Sequence, residues 1–85
     1  SLMIRPTQDR DLVINLDGPD GNVFSLMGAA KGLAFRYGLA GRTPDIEFIM
    51  DEMKSGDYVN AVKTFDKYFG EYVILETRDE ELLNA

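Results

Sequence analysis

The side chains best placed to do chemistry lie between residues 17 and 22, in the stretch DGPDGN. Asp17, Asp20 and Asn22 all offer oxygen atoms, which are the ligands that Ca²⁺ and Mg²⁺ prefer. The stretch also stands between a predicted strand and a predicted helix, a place where glycine-rich turns bind phosphate groups. These three residues are therefore candidates for binding a divalent cation or a small ligand, with turn formation and helix capping as the alternative.

Two specific versions of such a site are excluded by the residues that follow. A phosphate-binding P-loop needs Gly-Lys-Ser/Thr before its helix, whereas Asn22, Val23 and Phe24 stand there in this chain. The calcium loop of the form D-x-D-x-D-G, with a glutamate at its twelfth position, is absent as well, since residue 28 is a glycine. We expect no resident metal and no cofactor.

The composition leaves few groups for catalysis. The 85 residues include no cysteine and no histidine, which removes thiol nucleophiles, imidazole bases, disulfides and the usual zinc ligands. No serine is flanked by a base, and the spacing of Asp17 and Asp20 is not specific for a catalytic carboxylate pair. The protein is predicted not to be an enzyme, with no catalytic residue.

The elements that must position these residues follow from hydrophobic spacing and helix caps. They are a strand over 10–16, helices over 23–37, 44–54 and 58–69, and a strand over 71–76. The first helix is apolar around most of its circumference, which predicts a central position. Its glycines, Gly28 and Gly32, are expected to let a neighbouring backbone approach closely. Gly38 and Gly70 are predicted to end the first and third helices.

The predicted fold is a single small α+β domain in the order β-α-α-α-β. A two-stranded sheet is marginal by itself, so the strands either pair with each other beneath the helices or pair at an edge with a second copy in a homodimer. The domain is expected to span 10–76. Before it lies an N-terminal extension over 1–9 that includes a cloning scar, and after it an acidic tail over 77–85. A short helical end and a partner-binding tail both remain open for that last segment.

The net charge of -6 is unevenly distributed along the chain. Lys31 and Arg36 make the first helix basic, whereas the second helix and the tail are acidic. Internal pairing between these surfaces is the simpler interpretation, and an acidic surface that binds a basic partner is the other. The candidate residues for such an interaction surface are Asp45, Glu47, Asp51 and Glu52.

Membranes and nucleic acids are both poor partners for this sequence. No apolar run reaches the roughly 18–20 residues of a membrane span, so a cytoplasmic location is expected. A helix-turn-helix interpretation would place Asn60, Lys63, Thr64 and Lys67 on a DNA-reading face. The acidic helix before that face would oppose phosphates, so no nucleic-acid partner is predicted.

The stretch INLDGPDGN over 14–22, followed by Phe24, Leu26-Met27-Gly28 and Ala30, resembles a group of small uncharacterised proteins from tailed phages and prophages. The resemblance continues through MKSGDY over 53–58 and FDKYFGEYV over 65–73, and it covers roughly residues 12–76. It implies a location in the cytoplasm of an infected bacterium and an accessory role. We therefore predict a phage-type accessory protein that acts by contact with a host or phage protein. Binding of a small ligand or divalent cation by the 17–22 loop is the alternative.

Overall fold

A computed structural model describes residue 4 and residues 12–36 and 45–85. Its elements in chain order are β1 (Leu12–Asn15), a 3-10 turn (Pro19–Gly21), α1 (Val23–Arg36), α2 (Ile46–Lys54), α3 (Tyr58–Phe69), β2 (Val73–Glu76) and α4 (Glu80–Leu83). The predicted α+β class and the order β-α-α-α-β are confirmed, with the 3-10 turn and α4 as additions. The predicted end of the first helix at Gly38 lies outside the described residues. The predicted start of the second helix at residue 44 is wrong, because Asp45 is extended and α2 begins at Ile46.

β1 and β2 pair with each other in parallel, so the first of the two arrangements left open by the sequence is found within the chain. The register runs from Leu12 opposite Val73 to Asn15 opposite Glu76. Parallel pairing requires a crossover connection, which the three long helices supply. Because both strands run the same way, the turn after β1 and the segment after β2 emerge side by side.

The core lies between α1, α2 and α3. Its largest fully buried side chains are Phe65, Phe69, Leu26, Met50 and Met53. The rings of Phe65 and Phe69 are tilted by 46° with their centroids 5.2 Å apart, a favourable arrangement for an aromatic pair. The spacing of apolar residues along α2 and α3 predicts this core, because residues three and four apart share one face of a helix.

Local caps set the limits of α3. The Asp57 carboxylate accepts a hydrogen bond from the Asn60 backbone N–H at 2.9 Å and so caps the start of the helix. The helix ends at Phe69, as predicted, but Gly70 has φ -62° and is not left-handed. The Gly70 N–H instead continues the helical pattern by donating to the Asp66 carbonyl at 2.9 Å.

α1 is buried on one face only. Leu26, Ala30 and Leu33 lie in the core, with Ala34 buried beside them. The close backbone approach expected at Gly28 and Gly32 is not found, because a Cβ built on either glycine would have no atom within 4 Å. The physical reason is the small number of elements: α2 and α3 cover one face of α1, and no described residue comes this close to either glycine.

The final residues, for which a helical end and a partner-binding tail were both open, form the short helix α4. Leu82 packs against the core from the outside. The Asp79 carboxylate accepts from the Glu81 N–H at 2.9 Å and caps the helix. Among the described residues, no helix is both long enough and apolar enough to cross a membrane.

Candidate protein interface on the outer face of α1

Asp17, the first candidate of the 17–22 loop, connects the turn after β1 to the segment after β2. Its carboxylate accepts one hydrogen bond from the Thr77 hydroxyl at 2.8 Å and another from the Arg78 backbone N–H at 2.7 Å. The Thr77 hydrogen bond and then the Arg78 hydrogen bond stabilise the charged form and hold the pKa of Asp17 below its ordinary value. Both carboxylate oxygens are thus engaged by the chain itself.

Asn22 and Asp20 have different positions and different roles. The Asn22 side-chain oxygen accepts from the Ser25 N–H at 2.8 Å, and its amide donates to the Pro19 carbonyl at 2.9 Å. Asn22 is therefore an N-cap for α1, which was the alternative interpretation of this residue. Asp20 is exposed in the 3-10 turn. The described residues contain no group of three or more acidic side chains placed to hold a metal ion.

A polar cavity of about 550 Å³ opens where both strands end, lined by Asn15, Asp17, Glu76, Thr77 and Arg78. The carboxyl ends of parallel strands are where ligands bind in larger α/β sheets. Here the cavity walls bond to each other: the Asn15 side chain accepts from the Asp17 N–H at 3.0 Å, and Asp17 holds the segment after β2. These hydrogen bonds hold the turn after β1 to the C-terminal segment that follows β2.

We expect the free energy of unfolding of Asp17→Asn to fall less steeply at acid pH than that of the wild type. Because the folded-state pKa of Asp17 lies below the unfolded value of about 3.9, its contribution is present above that pH and is lost as pH falls through the folded value. Urea midpoints measured from neutral pH down to about pH 3 should therefore fall less steeply for Asp17→Asn than for the wild type. Asp20→Asn is the matched control, and an equal effect from it would contradict the assignment.

The four acidic candidates on α2 do not form one outward surface. Asp45 precedes the helix and Glu47 lies in its first turn, both exposed. Asp51 is exposed and forms an ion pair with Lys54 at 3.9 Å. Glu52 turns towards α3 instead, where it accepts from the Tyr68 hydroxyl at 2.9 Å and pairs with Lys67 at 3.4 Å. Glu52 is thus part of the α2–α3 contact.

The four residues that a helix-turn-helix interpretation would place on a DNA-reading face of α3 are not all exposed and available. Thr64 is buried in the core region, and the Asn60 amide donates to the Glu52 carbonyl at 2.9 Å. Lys67 pairs with Glu52, which leaves Lys63 as an exposed cation on this face that makes no ion pair with another described residue. One such lysine cannot supply the row of phosphate contacts that non-specific DNA binding needs.

A line of exposed residues on the outer face of α1 was not anticipated from the sequence. Phe24, Gly28, Lys31 and Phe35, here called the α1 stripe, follow one another at intervals of four, three and four residues. This spacing places them on one face of the helix, opposite the buried face. Phe24 is 80% exposed and Phe35 is 85% exposed. The signal that could have revealed the stripe is Lys31, since a lysine is almost never fully buried and so marks a face of the helix that the core does not cover.

An apolar groove of about 380 Å³ lies beside the first turns of α1, lined by Val23, Phe24, Met27, Met53, Lys54, Gly56, Asp57 and Tyr58. Tyr58 is one of the lining residues, and its hydroxyl donates a hydrogen bond to the Gly21 carbonyl. Burial first, and then the negative charges of Asp17 and Asp79, raise the pKa of Tyr58 above its ordinary value. The groove and the α1 stripe meet at Phe24.

The internal pairing predicted between a basic α1 and the acidic α2 and tail is not found for Lys31. The two ion pairs between described residues, Lys54–Asp51 and Lys67–Glu52, lie within α2 and between α2 and α3. Lys31 makes no ion pair with another described residue. Its charge therefore remains on the outer face of α1, in the middle of the α1 stripe.

Comparisons of the chain with protein-family models, with curated proteins and with solved structures found no match.

Proposed function

We propose that this protein is a non-enzymatic interaction module that binds another protein through the α1 stripe and the adjoining groove. The observation that carries the proposal is the exposure of Phe24 and Phe35, at 80% and 85%. Transferring one such side chain out of water is worth about 1.5–3 kcal/mol. Two aromatic rings on one helical face are therefore a substantial driving force for association.

The character of the surrounding surface supports protein contact over other functions. Contiguous exposed apolar patches on small proteins mark interaction sites, and aromatic residues are enriched in the centres of protein interfaces. The loop candidates Asp17 and Asn22 are engaged in holding the chain together. A small ligand or cation in that loop would share the Asp17 and Asn22 oxygens with those hydrogen bonds.

The resemblance to small phage and prophage proteins supports an accessory role in the cytoplasm of an infected bacterium, and this is the setting that we propose. In that setting the partner is a host or phage protein or a second copy of the chain. The exposed carboxylates Asp45, Glu47 and Asp51 would add electrostatic steering towards a basic region of a partner.

The test uses affinity capture by the full chain carrying a tag, in bacterial extract and with purified untagged chain. We expect a stoichiometric bound protein that is lost when Phe24→Ala and Phe35→Ala are combined. The control combines Val13→Ala and Ile74→Ala, which remove exposed apolar side chains from the strands instead. Equal capture by both double variants, or no stoichiometric protein in either setting, would contradict the proposed function.

A further inference from the structure

We infer that the α1 stripe binds the same stripe of a second copy, with the two α1 helices packed antiparallel about a two-fold axis. This inference rests on the proposed function, because it names the partner of the same surface. It is carried by the order of side chains in the stripe, by the adjoining groove and by the carboxylates near the start of α1.

The intervals of the α1 stripe match the seam of a two-stranded helical pair. Spacings of four, three and four are those of alternating d and a positions in a heptad. In an antiparallel pair each a position lies opposite a d position, so Phe24 of one copy would lie opposite Phe35 of the other. Gly28 would lie opposite Lys31 of the second copy. An isologous contact requires such self-complementarity, and this stripe has large residues at both ends and its glycine towards the middle.

The glycine explains how close the two helices can come. A glycine inside a helix costs about 1 kcal/mol relative to alanine, and no described residue occupies the space beside Gly28 or Gly32. In the antiparallel pair the aliphatic stem of Lys31 from the second copy would lie over Gly28. Its ammonium group would extend to the edge of the contact and remain in water.

The groove gives one aromatic ring of each copy a place to be buried. Phe24 lines the groove, so a ring opposite Phe24 reaches the groove wall formed by Met27, Met53 and Tyr58. Phe35 of the second copy is that ring in the antiparallel arrangement. Large side chains seated in a preformed apolar site are the usual anchors of an interface.

The carboxylates near the start of α1 also favour the antiparallel pairing. The 3-10 turn before the helix carries Asp20 and the groove rim carries Asp57. A parallel arrangement would place Asp20 beside Asp20 and Asp57 beside Asp57, which is unfavourable. The antiparallel arrangement keeps these carboxylates apart.

The size of the contact limits the strength of the dimer. A helix of 14 residues is about 21 Å long, and two phenylalanines contribute roughly 300–500 Å² of surface per copy at most. A standard interface buries about 800 Å² per partner. The dimer should therefore be weak and reversible, forming as the concentration rises through the micromolar range.

Sedimentation velocity from low micromolar to millimolar concentration is the first test. We expect a shift from monomer to dimer in the wild type that is lost in Phe35→Asp and retained in Phe48→Asp, a matched change at an exposed phenylalanine on α2. A dimer that persists in Phe35→Asp, or is lost equally in Phe48→Asp, would overturn the inference. So would a monomer throughout, although stripe-dependent capture of a different protein would then leave the proposed function standing.

Disulfide trapping tests the orientation, because the chain has no cysteine of its own. A Phe24→Cys chain mixed with a Phe35→Cys chain should give a cross-linked heterodimer under mild oxidation, and the opposite Phe35–Phe24 layer remains intact in that mixture. Each variant alone should cross-link poorly, because the two identical positions lie about 16 Å apart along the axis and a disulfide needs Cα atoms within about 7 Å. Predominant cross-linking of each variant to itself, or a statistical mixture of the three products, would overturn the antiparallel arrangement.

Discussion

Phe65→Ala is expected to lower the free energy of unfolding by about 3–5 kcal/mol, the usual cost of truncating a buried phenylalanine. Phe65 is completely buried and packs against Phe69, with ring centroids 5.2 Å apart. A domain of this size has a total stability of roughly 4–13 kcal/mol. The variant should therefore unfold at much lower urea concentration, and at the lower end of that range a visible fraction would be unfolded in buffer.

The control for this prediction is Phe35→Ala, the same substitution at an exposed position on α1. Because Phe35 is 85% exposed, its removal should change the stability of the monomer by no more than about 0.5 kcal/mol. Urea titrations at low micromolar concentration, where association is minimal, give both values. A loss at Phe35 comparable with that at Phe65 would mean that the α1 stripe is covered within the chain.

Gly21→Ala and Gly28→Ala are expected to change stability in opposite directions. Gly21 is buried in the 3-10 turn, and a Cβ there would lie 1.9 Å from the Leu16 carbonyl oxygen and near two further backbone atoms of Leu16. The backbone must shift to relieve this overlap, which also disturbs the hydrogen bond from Tyr58 to the Gly21 carbonyl. Overpacking of this kind costs about 1–3 kcal/mol, and sometimes more.

Gly28→Ala should instead stabilise the monomer by up to about 1 kcal/mol. A Cβ at this position meets no atom of the described residues within 4 Å, so the expected effect is the gain in helix propensity. Urea unfolding of the wild type, Gly21→Ala and Gly28→Ala at low micromolar concentration measures both changes in stability. A destabilised Gly28→Ala monomer would show that the space beside α1 is occupied within the chain, and an unchanged Gly21→Ala would contradict the described turn.

The parts of the fold that depend on local signals are predictable from the sequence. The limits of α3 follow from the Asp57 cap and from the spacing that leads to Phe65 and Phe69, and the structure has the helix over Tyr58–Phe69. The Asn22 cap is likewise determined within three residues of the chain, since Asn22 bonds to the Ser25 N–H. Periodicity and capping are properties of neighbouring residues, so they can be evaluated before the tertiary structure is known.

The role of Asp17 depends on residues that are remote in sequence. Its partners, Thr77 and Arg78, come 60 and 61 residues later, and they meet Asp17 only because β1 and β2 pair in parallel with Asn15 opposite Glu76. The sequence predicts where the strands lie along the chain, but not whether they pair in parallel or antiparallel. Until the pairing of the strands is known, a carboxylate in this loop could bind a ligand, cap a helix or hold two segments of the chain together.

The outer face of α1 shows a second limit of sequence reasoning. An apolar helix is expected to be buried all round, and α1 has only a few polar residues to contradict this. How much of it is covered depends on how many neighbours the fold supplies, and the contacts of α1 with α2 and α3 bury only one face. The exposed Phe24 and Phe35 become visible only once those neighbours are placed.

The central claim is that the α1 stripe is a contact surface, and the most direct measurement is protection of a single thiol within it. Lys31→Cys places a thiol in the stripe, and Lys63→Cys places one on α3 as a matched exposed control. Maleimide labelling rates are compared for the chain at low and high concentration and in bacterial extract. We predict that the thiol at 31 is protected at high concentration or in extract while the thiol at 63 is not. Equal labelling of both positions under every condition would contradict the claim.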